Sequence, residues 1–274
     1  MRLVAVGLAA VVAMGAQSQQ GTPTCVPVGR AQLLPDVPEA SGAARAGGAL
    51  WTHNDSGAPV LFRIDPDGRI SSVAVSGAGN VDWEDVAAGT CGDAECLYIA
   101  DIGDNRLVRQ RITIYQVDIP SRGSASTAPA RAFHFTYPDA PHDAEALLLT
   151  KQATFVVTKD VPPRVYQLEE PVQPGATGKL SLFRTLKEPV RITGASAAPD
   201  GRWVALRSNR MLFLYRTDDF LKGGNPVRID LSLLKEPQGE GVTFERGVEL
   251  ALVSEGRGKG AAGMLTRVRC AFME

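Results

Sequence analysis

The chain has 274 residues, with 29 basic against 30 acidic side chains, a formal net charge of −1, 44% hydrophobic and 22% charged positions. This balance excludes a dedicated nucleic-acid binder, which concentrates Lys and Arg on one face. The apolar content excludes a wholly disordered chain. One or two domains fit the length, and a single all-β domain of this size is common.

The first element in chain order is a targeting segment. Met1-Arg2 precedes an apolar run from Leu3 to Ala16, broken only by Gly7 and Gly15, and polar Gln17-Ser18-Gln19-Gln20 follows. That order reads as a secretory signal cleaved after Ala16. The run is too short to span a bilayer, so no transmembrane segment is expected. The mature domain is then 17–274, secreted or periplasmic. Export makes the four cysteines informative, although four allow three pairings. Cys91 and Cys96 bracket a turn-rich stretch that suits a local hairpin disulfide, and Cys25 and Cys270 lie near the two mature ends. A zinc site is the other reading, but the spacing matches no usual zinc pattern.

The rest of the chain shows short apolar or alternating runs bounded by Gly, Pro, Asp and Asn, the pattern of strands. Ile112 to Val117, Phe133 to Tyr137 and Met211 to Tyr215 are examples, and Pro66-Asp67-Gly68 and Pro199-Asp200-Gly201 are turn sequences. Only Leu231 to Glu236 reads as a helical turn. The strands recur as units whose first strands open near Ser41, Glu84, Glu145, Ala195 and Glu240. A period of roughly 40–60 residues is the size of a four-stranded propeller blade. The expected fold is an all-β, five-bladed β-propeller; a six-bladed ring and a β-sandwich are the alternatives. The last unit lacks an outer strand, and the segment from Cys25 to Leu34 lacks a partner. Closure of the ring by that segment, stapled by Cys25–Cys270, resolves both.

In such a blade the start of the first strand and the end of the second share one face. First strands begin with Asp82-Trp83-Glu84-Asp85, His142-Asp143-Ala144-Glu145 and Gln238-Gly239-Glu240. Second strands end in Asn54, Asp55, Asp101, Asp104, Asn105, Lys159, Asp160, Asn209 and Glu255. Crowded carboxylates require a cation, a shared proton or basic partners. Oxygen-rich, thiolate-free ligands favour Ca²⁺ or Mg²⁺ over zinc. Asn54, Asp55, Asp101, Lys159 and Arg207 are the candidate ligand contacts, Lys159 and Arg207 toward an anionic group or as partners of the acids. Glu145 and His142 are the acid–base candidates, and His53 is a further one.

Asp143-Ala144-Glu145-Ala146-Leu147 and Gly239-Glu240-Gly241-Val242 resemble the D-x-E-G-[LIV] blade openings of the phytase-like propellers, which include the SdiA-regulated family and the family named for esterase-like activity of phytase. Leu252-Val253-Ser254-Glu255-Gly256 is similar to the strand that follows such an opening. The resemblance implies secretion, a propeller and calcium held by top-face carboxylates. By position these would be Glu84, Asp143, Glu145, Glu240 and Glu255. The chain departs from the pattern at Thr193-Gly194-Ala195-Ser196, an opening without an acid, and in showing five units where propeller phytases have six blades.

Two function classes follow. In one, an exported monomeric propeller binds a divalent cation, Ca²⁺, together with a small or polymeric ligand or a protein on its acidic face. In the other, the cation polarises a scissile phosphoester or carboxyl ester and the protein is a calcium-dependent hydrolase. No G-x-S-x-G elbow, P-loop or H-E-x-x-H is present to name a nucleophile or a zinc site.

Overall fold

The computed structural model describes residues 23–169, 173–258 and 260–270. The expected signal segment, 1–16, lies outside these residues. The strands are β1 (Val26–Pro27), β2 (Gln32–Leu34), β3 (Ala40–Ala46), β4 (Ala49–Asn54), β5 (Val60–Ile64), β6 (Ile70–Ala74), β7 (Trp83–Cys91), β8 (Ala94–Asp101), β9 (Ile112–Asp118) and β10 (Arg131–Thr136). They continue as β11 (Ala144–Leu149), β12 (Thr154–Thr158), β13 (Arg164–Leu168), β14 (Thr177–Thr185), β15 (Gly194–Ala197), β16 (Trp203–Arg207), β17 (Met211–Arg216), β18 (Val227–Asp230), β19 (Gln238–Phe244), β20 (Glu249–Glu255) and β21 (Gly263–Arg269). Tight turns ending in glycine, such as Asp65 to Gly68 with Gly68 at φ +84°, join neighbouring strands and set an antiparallel up-and-down order.

Strands β3 to β6 form one four-stranded sheet and β15 to β18 another. β19, β20 and β21 pair in order, and β21 carries both β1 and β2 on its far side. The N-terminal segment therefore supplies the outer strand of the last unit, as the repeat pattern requires. Cys25 is bonded to Cys270 at this junction, and Cys91 to Cys96 across the β7–β8 hairpin. The two middle units depart from the expected pattern. β10 pairs in parallel with β14 (His134 opposite Thr177), which merges β7 to β10 and β11 to β14 into one eight-stranded sheet.

Helix content is slight. A 3-10 turn at Ser232–Leu234 matches the expected helical turn, whereas α1 (Thr217–Lys222) was not expected. Its signals are short: Asp218 and Asp219 in the first turn, Lys222 in the last and Gly223 at φ +80° beyond it, the charges that complement a helix dipole and a left-handed stop. Phe220 anchors it edge-on against Phe155 and Tyr215. Among the described residues no helix is long and apolar enough to cross a membrane.

The first strands β3, β7, β11, β15 and β19 lie beside one another in cyclic order, and β19 packs back on β3. The buried apolar side chains follow the same order. One cluster joins Trp51 and Leu61 to Trp83 and Ile99, a second joins Ile114 to Leu147 and Tyr166, and a third joins Phe155 to Leu206 and Phe213. A fourth joins Leu214 to Phe244 and Leu250, and a fifth joins Val253 and Leu265 to Leu50 and Ile64. The architecture is a propeller-like ring of packed sheets.

At the axis stands Asp85, 0% exposed. Its carboxylate accepts the N–H groups of Val86 (2.8 Å) and Leu147 (2.9 Å) and is further hydrogen-bonded by the backbone of Ala195 and Ala43. These donors come from β7, β11, β15 and β3. Bulges in the pairing of β3, β7 and β11 at this level divert the chain from its ladders. Gly42 permits the approach, because a Cβ there would stand 2.3 Å from the backbone nitrogen of Val86. Burial pushes the pKa of Asp85 well up, and the amides pull against that shift. An unmade buried hydrogen bond costs about 1–3 kcal/mol. Asp85→Ala is therefore expected to remove on the order of 4 kcal/mol or more, read as a drop in thermal or urea midpoint. A midpoint within experimental error of the parent's would contradict this role.

Candidate functional site

The strand starts deliver a carboxylate cluster to one end of the ring. Asp82, Glu84 and Asp143 each place one oxygen within 4.8 Å of the others. Asp82 is fixed by its N–H on Asp101 Oδ1 (3.2 Å) and by its carbonyl, which accepts the Gly103 N–H (3.1 Å). Asp143 Oδ1 accepts the Asp104 N–H (2.8 Å), tying the β8–β9 loop to the next unit. Glu84 is 6% exposed. Among the described residues neither its carboxylate nor that of the less buried Asp82 has a hydrogen bond or ion pair, while Asp143 and Glu145 each have a donor.

Lys159 pairs with Glu145 and stands 3.9 Å from Asp143 Oδ2. One ammonium thus serves several carboxylates. Two unit charges about 4.8 Å apart repel by on the order of 3 kcal/mol at an effective dielectric near 20, so the cluster is not stable with every member bare. The pKa values register this. Burial, then Glu145 and Asp82, push Glu84 up to about 11. Burial pushes Glu145 up to about 7 against the pull of Lys159, and burial with Glu145 pushes Glu240 up to about 8. Burial works against the Lys159 charge, but Glu145, Asp143 and Glu84 outweigh it and its pKa is raised. Glu240 Oε1 accepts a bond from Gln238 (2.9 Å).

A second acidic group lies on the rim. Asp55 is pushed up to about 7 by burial and by Glu39 and Glu255, and Glu255 is raised by burial and Glu39. Asn54 is engaged in the same place, its Oδ1 accepting the Glu39 N–H at 3.0 Å. Asp101 is buried and bonded to Arg109 Nη1 (2.8 Å), which also holds the Gly103 carbonyl (2.8 Å). Asp101 and Arg109 therefore shape the β8–β9 loop.

Three of the expected residues sit elsewhere. Arg207 is fully buried, donates to the carbonyls of Gly241 (2.9 Å) and Val253 (3.0 Å), pairs with Glu236 and wedges the last two units together. His142 is buried in a separate network. Its Nε2 meets the Tyr166 hydroxyl (2.9 Å) and Asp139 (3.1 Å), its Nδ1 lies 3.4 Å from Asp160, and Tyr137 packs edge-on at 4.9 Å. His53 is fully buried between the Gly42 N–H and the Asn54 carbonyl, and burial lowers its pKa to about 4, so it is a neutral packing group.

The residues not singled out as ligands were Asp82, Asp85, Arg109 and Gly103. Asp82 was visible as the acid two positions before Glu84. Gly103 carried no local signal, because its reason is spatial. A Cβ there would lie 2.5 Å from the Asp82 carboxylate and 2.5 Å from Glu84 Oε1.

The donor set suits a hard divalent cation. It is all oxygen, it has one buried carboxylate with no hydrogen bond or ion pair among the described residues, and ligand oxygens on one calcium stand at most about 5 Å apart. No family model matches the chain, and no curated protein matches it. Solved structures similar in shape include the PQQ-bound aldose sugar dehydrogenase of Streptomyces coelicolor (12% identity, 89% of this chain and 99% of that chain, TM-score 0.45). Streptogramin B lyase is another (12%, 88% and 98%, TM-score 0.46). A gluconolactonase from Xanthomonas campestris is a third (14%, 83% and 72%, TM-score 0.46).

The raised acids fix the sign of the pH response. Asp55, Glu145 and Glu240 bind protons more tightly folded than unfolded. The resulting stability is complete below about 4 and is lost as pH rises through about 7 to 8. In EDTA the melting temperature should therefore fall between pH 5 and pH 8.5; a flat or rising profile would contradict the cluster's electrostatics. Gly103→Ala should displace Asp82 or Glu84 and lower stability by about 1–3 kcal/mol, measured by urea unfolding.

Proposed function

We propose that the protein is an exported five-bladed propeller, closed by its N-terminal segment, that binds one hard divalent cation at Asp82, Glu84 and Asp143 and holds an oxygen-donor ligand on it. The blade count rests on the five cyclic first strands and the five inter-sheet clusters. The observation that carries the cation is Glu84: a buried carboxylate without a hydrogen-bond or ion-pair partner among the described residues, facing two further carboxylates. Calcium fits better than zinc because no thiolate or imidazole belongs to the group, and better than magnesium because carboxylates on separate elements suit a large, irregular shell. Glu145 and Glu240 border the ion and Glu255 stands at the rim. Three carboxylates leave coordination positions open, since Ca²⁺ takes six to eight oxygens.

One observation favours a hydrolase as the second reading. Glu145 has a pKa near 7 beside Lys159, the poise of a general base at neutral pH. The bound cation would polarise an ester or phosphoester, and Glu145 would take a proton from water.

Calcium titration by calorimetry should give one site and raise the melting temperature. Glu84→Gln should weaken binding about tenfold or more while raising the melting temperature in EDTA, because the amide avoids the cost of protonating a buried carboxyl on folding. These opposite signs separate a ligand from a packing residue. Absence of heat with a melting temperature unmoved by calcium would refute the site.

A further inference from the structure

Four exposed apolar residues lie close in the chain to residues of the cation cluster or of its supports. Val81 is 70% exposed, Leu107 55%, Val108 63% and Val161 56%. Val81 directly precedes Asp82, and its N–H lies 3.4 Å from Asp101 Oδ2. Leu107 and Val108 directly precede Arg109, whose guanidinium holds the other oxygen of the same carboxylate. Val161 follows Lys159 by two positions. Three of the four thus flank Asp101, and the fourth lies beyond the ammonium that pairs with Glu145.

The turn that presents Leu107 is built from the cluster itself. Asp143 Oδ1 holds the Asp104 N–H; Asp104 in turn accepts the Leu107 N–H on its carbonyl (2.8 Å) and the Arg109 N–H on its carboxylate (2.7 Å). Leu107 lies at φ +55°, a conformation that disfavours a branched apolar residue by about 1–2 kcal/mol.

Charge then selects the ligand's polar end. Asp82, Glu84 and Asp143 outweigh a divalent cation by one negative charge, Lys159 is matched by Glu145, Arg109 is matched by Asp101, and Glu39, Asp55 and Glu255 add further acid at the rim. A carboxylate or phosphate approaching the open coordination positions meets net repulsion. A neutral carbonyl oxygen does not. The same acidity repels an anionic bilayer surface, so the apolar rim suits a monomeric molecule.

We infer that the ligand is a neutral carbonyl compound of the ester or ketone class with an aliphatic chain, its oxygen on the cation and its chain across Val81, Leu107 and Val108. This rests on the cation site proposed above and adds the ligand class.

The test is calorimetric titration of the calcium-saturated protein with 2-butanone, 2-hexanone and 2-octanone, which cannot be hydrolysed, and with octanoate as the anionic counterpart. Affinity should rise about two- to fourfold per added methylene, and 2-octanone should bind more tightly than octanoate. The double variant Leu107→Asn, Val108→Ser keeps the left-handed turn accessible, because Asn tolerates it. It should flatten the chain-length series without changing calcium affinity. Tighter binding of octanoate, equal affinity across the ketones, an unchanged series in the double variant, or binding to phosphatidylserine vesicles alone would each overturn the inference while leaving the cation site standing. Failure to bind calcium would instead overturn the earlier reading.

Discussion

Four inner strands reach the axis with backbone groups that their own ladders do not use, and the carboxylate of Asp85 accepts them there. No apolar side chain could serve, because each unmet amide would be stranded away from water. A long polar chain would not fit where Gly42 already brings backbone against backbone. This short buried acid fixes the level at which the first strands meet. It thereby fixes where the residues just before that level emerge. Asp82 and Glu84 precede Asp85, and Asp143 and Glu145 precede Leu147, so a single tether positions acids from two units against one another.

The acidic mouth follows from that convergence, with a cost. The fold concentrates like charge where burial already disfavours it, and among the described residues Lys159 is the base that ion-pairs with Asp143 and Glu145 there. A divalent cation relieves both penalties at once, since it neutralises charge and gives Glu84 a partner. The neighbouring network of His142, Tyr166, Asp139 and Asp160 is satisfied internally. It braces one side of the mouth and leaves the chemistry to the acids. At the opposite end of the axis a cavity of about 700 Å³ is lined by small residues such as Ala87, Ala195 and Ala197 together with Arg45 and Lys151. Asp93 and Glu95 also line it, and none of Asp82, Glu84 and Asp143 does.

Much of this was legible in the sequence because it is periodic. Turn residues and alternating apolar runs marked the strands, and the recurrent openings at Glu84, Glu145 and Glu240 marked the face. The unpaired N-terminal segment together with Cys25 and Cys270 marked the closure. What escaped was decided by distance in space. Arg207 reads as a second-strand end like Lys159, but the neighbouring unit folds Glu236 over it. Asp85 reads as one more acid in a run of three, and only the bulge turns it to the axis. The parallel pairing of β10 with β14 has no local signature, since it joins strands of two different units.

The central claim is that one buried carboxylate ties the inner strands together. Amide hydrogen exchange measured by NMR at Ala43, Val86, Leu147 and Ala195 addresses it directly. The account predicts slow exchange at all four, and a joint acceleration when Asp85 is changed to Ala under conditions where outer-strand amides such as that of Ser72 keep their rates. Acceleration confined to Val86, the residue next in the chain, would contradict it.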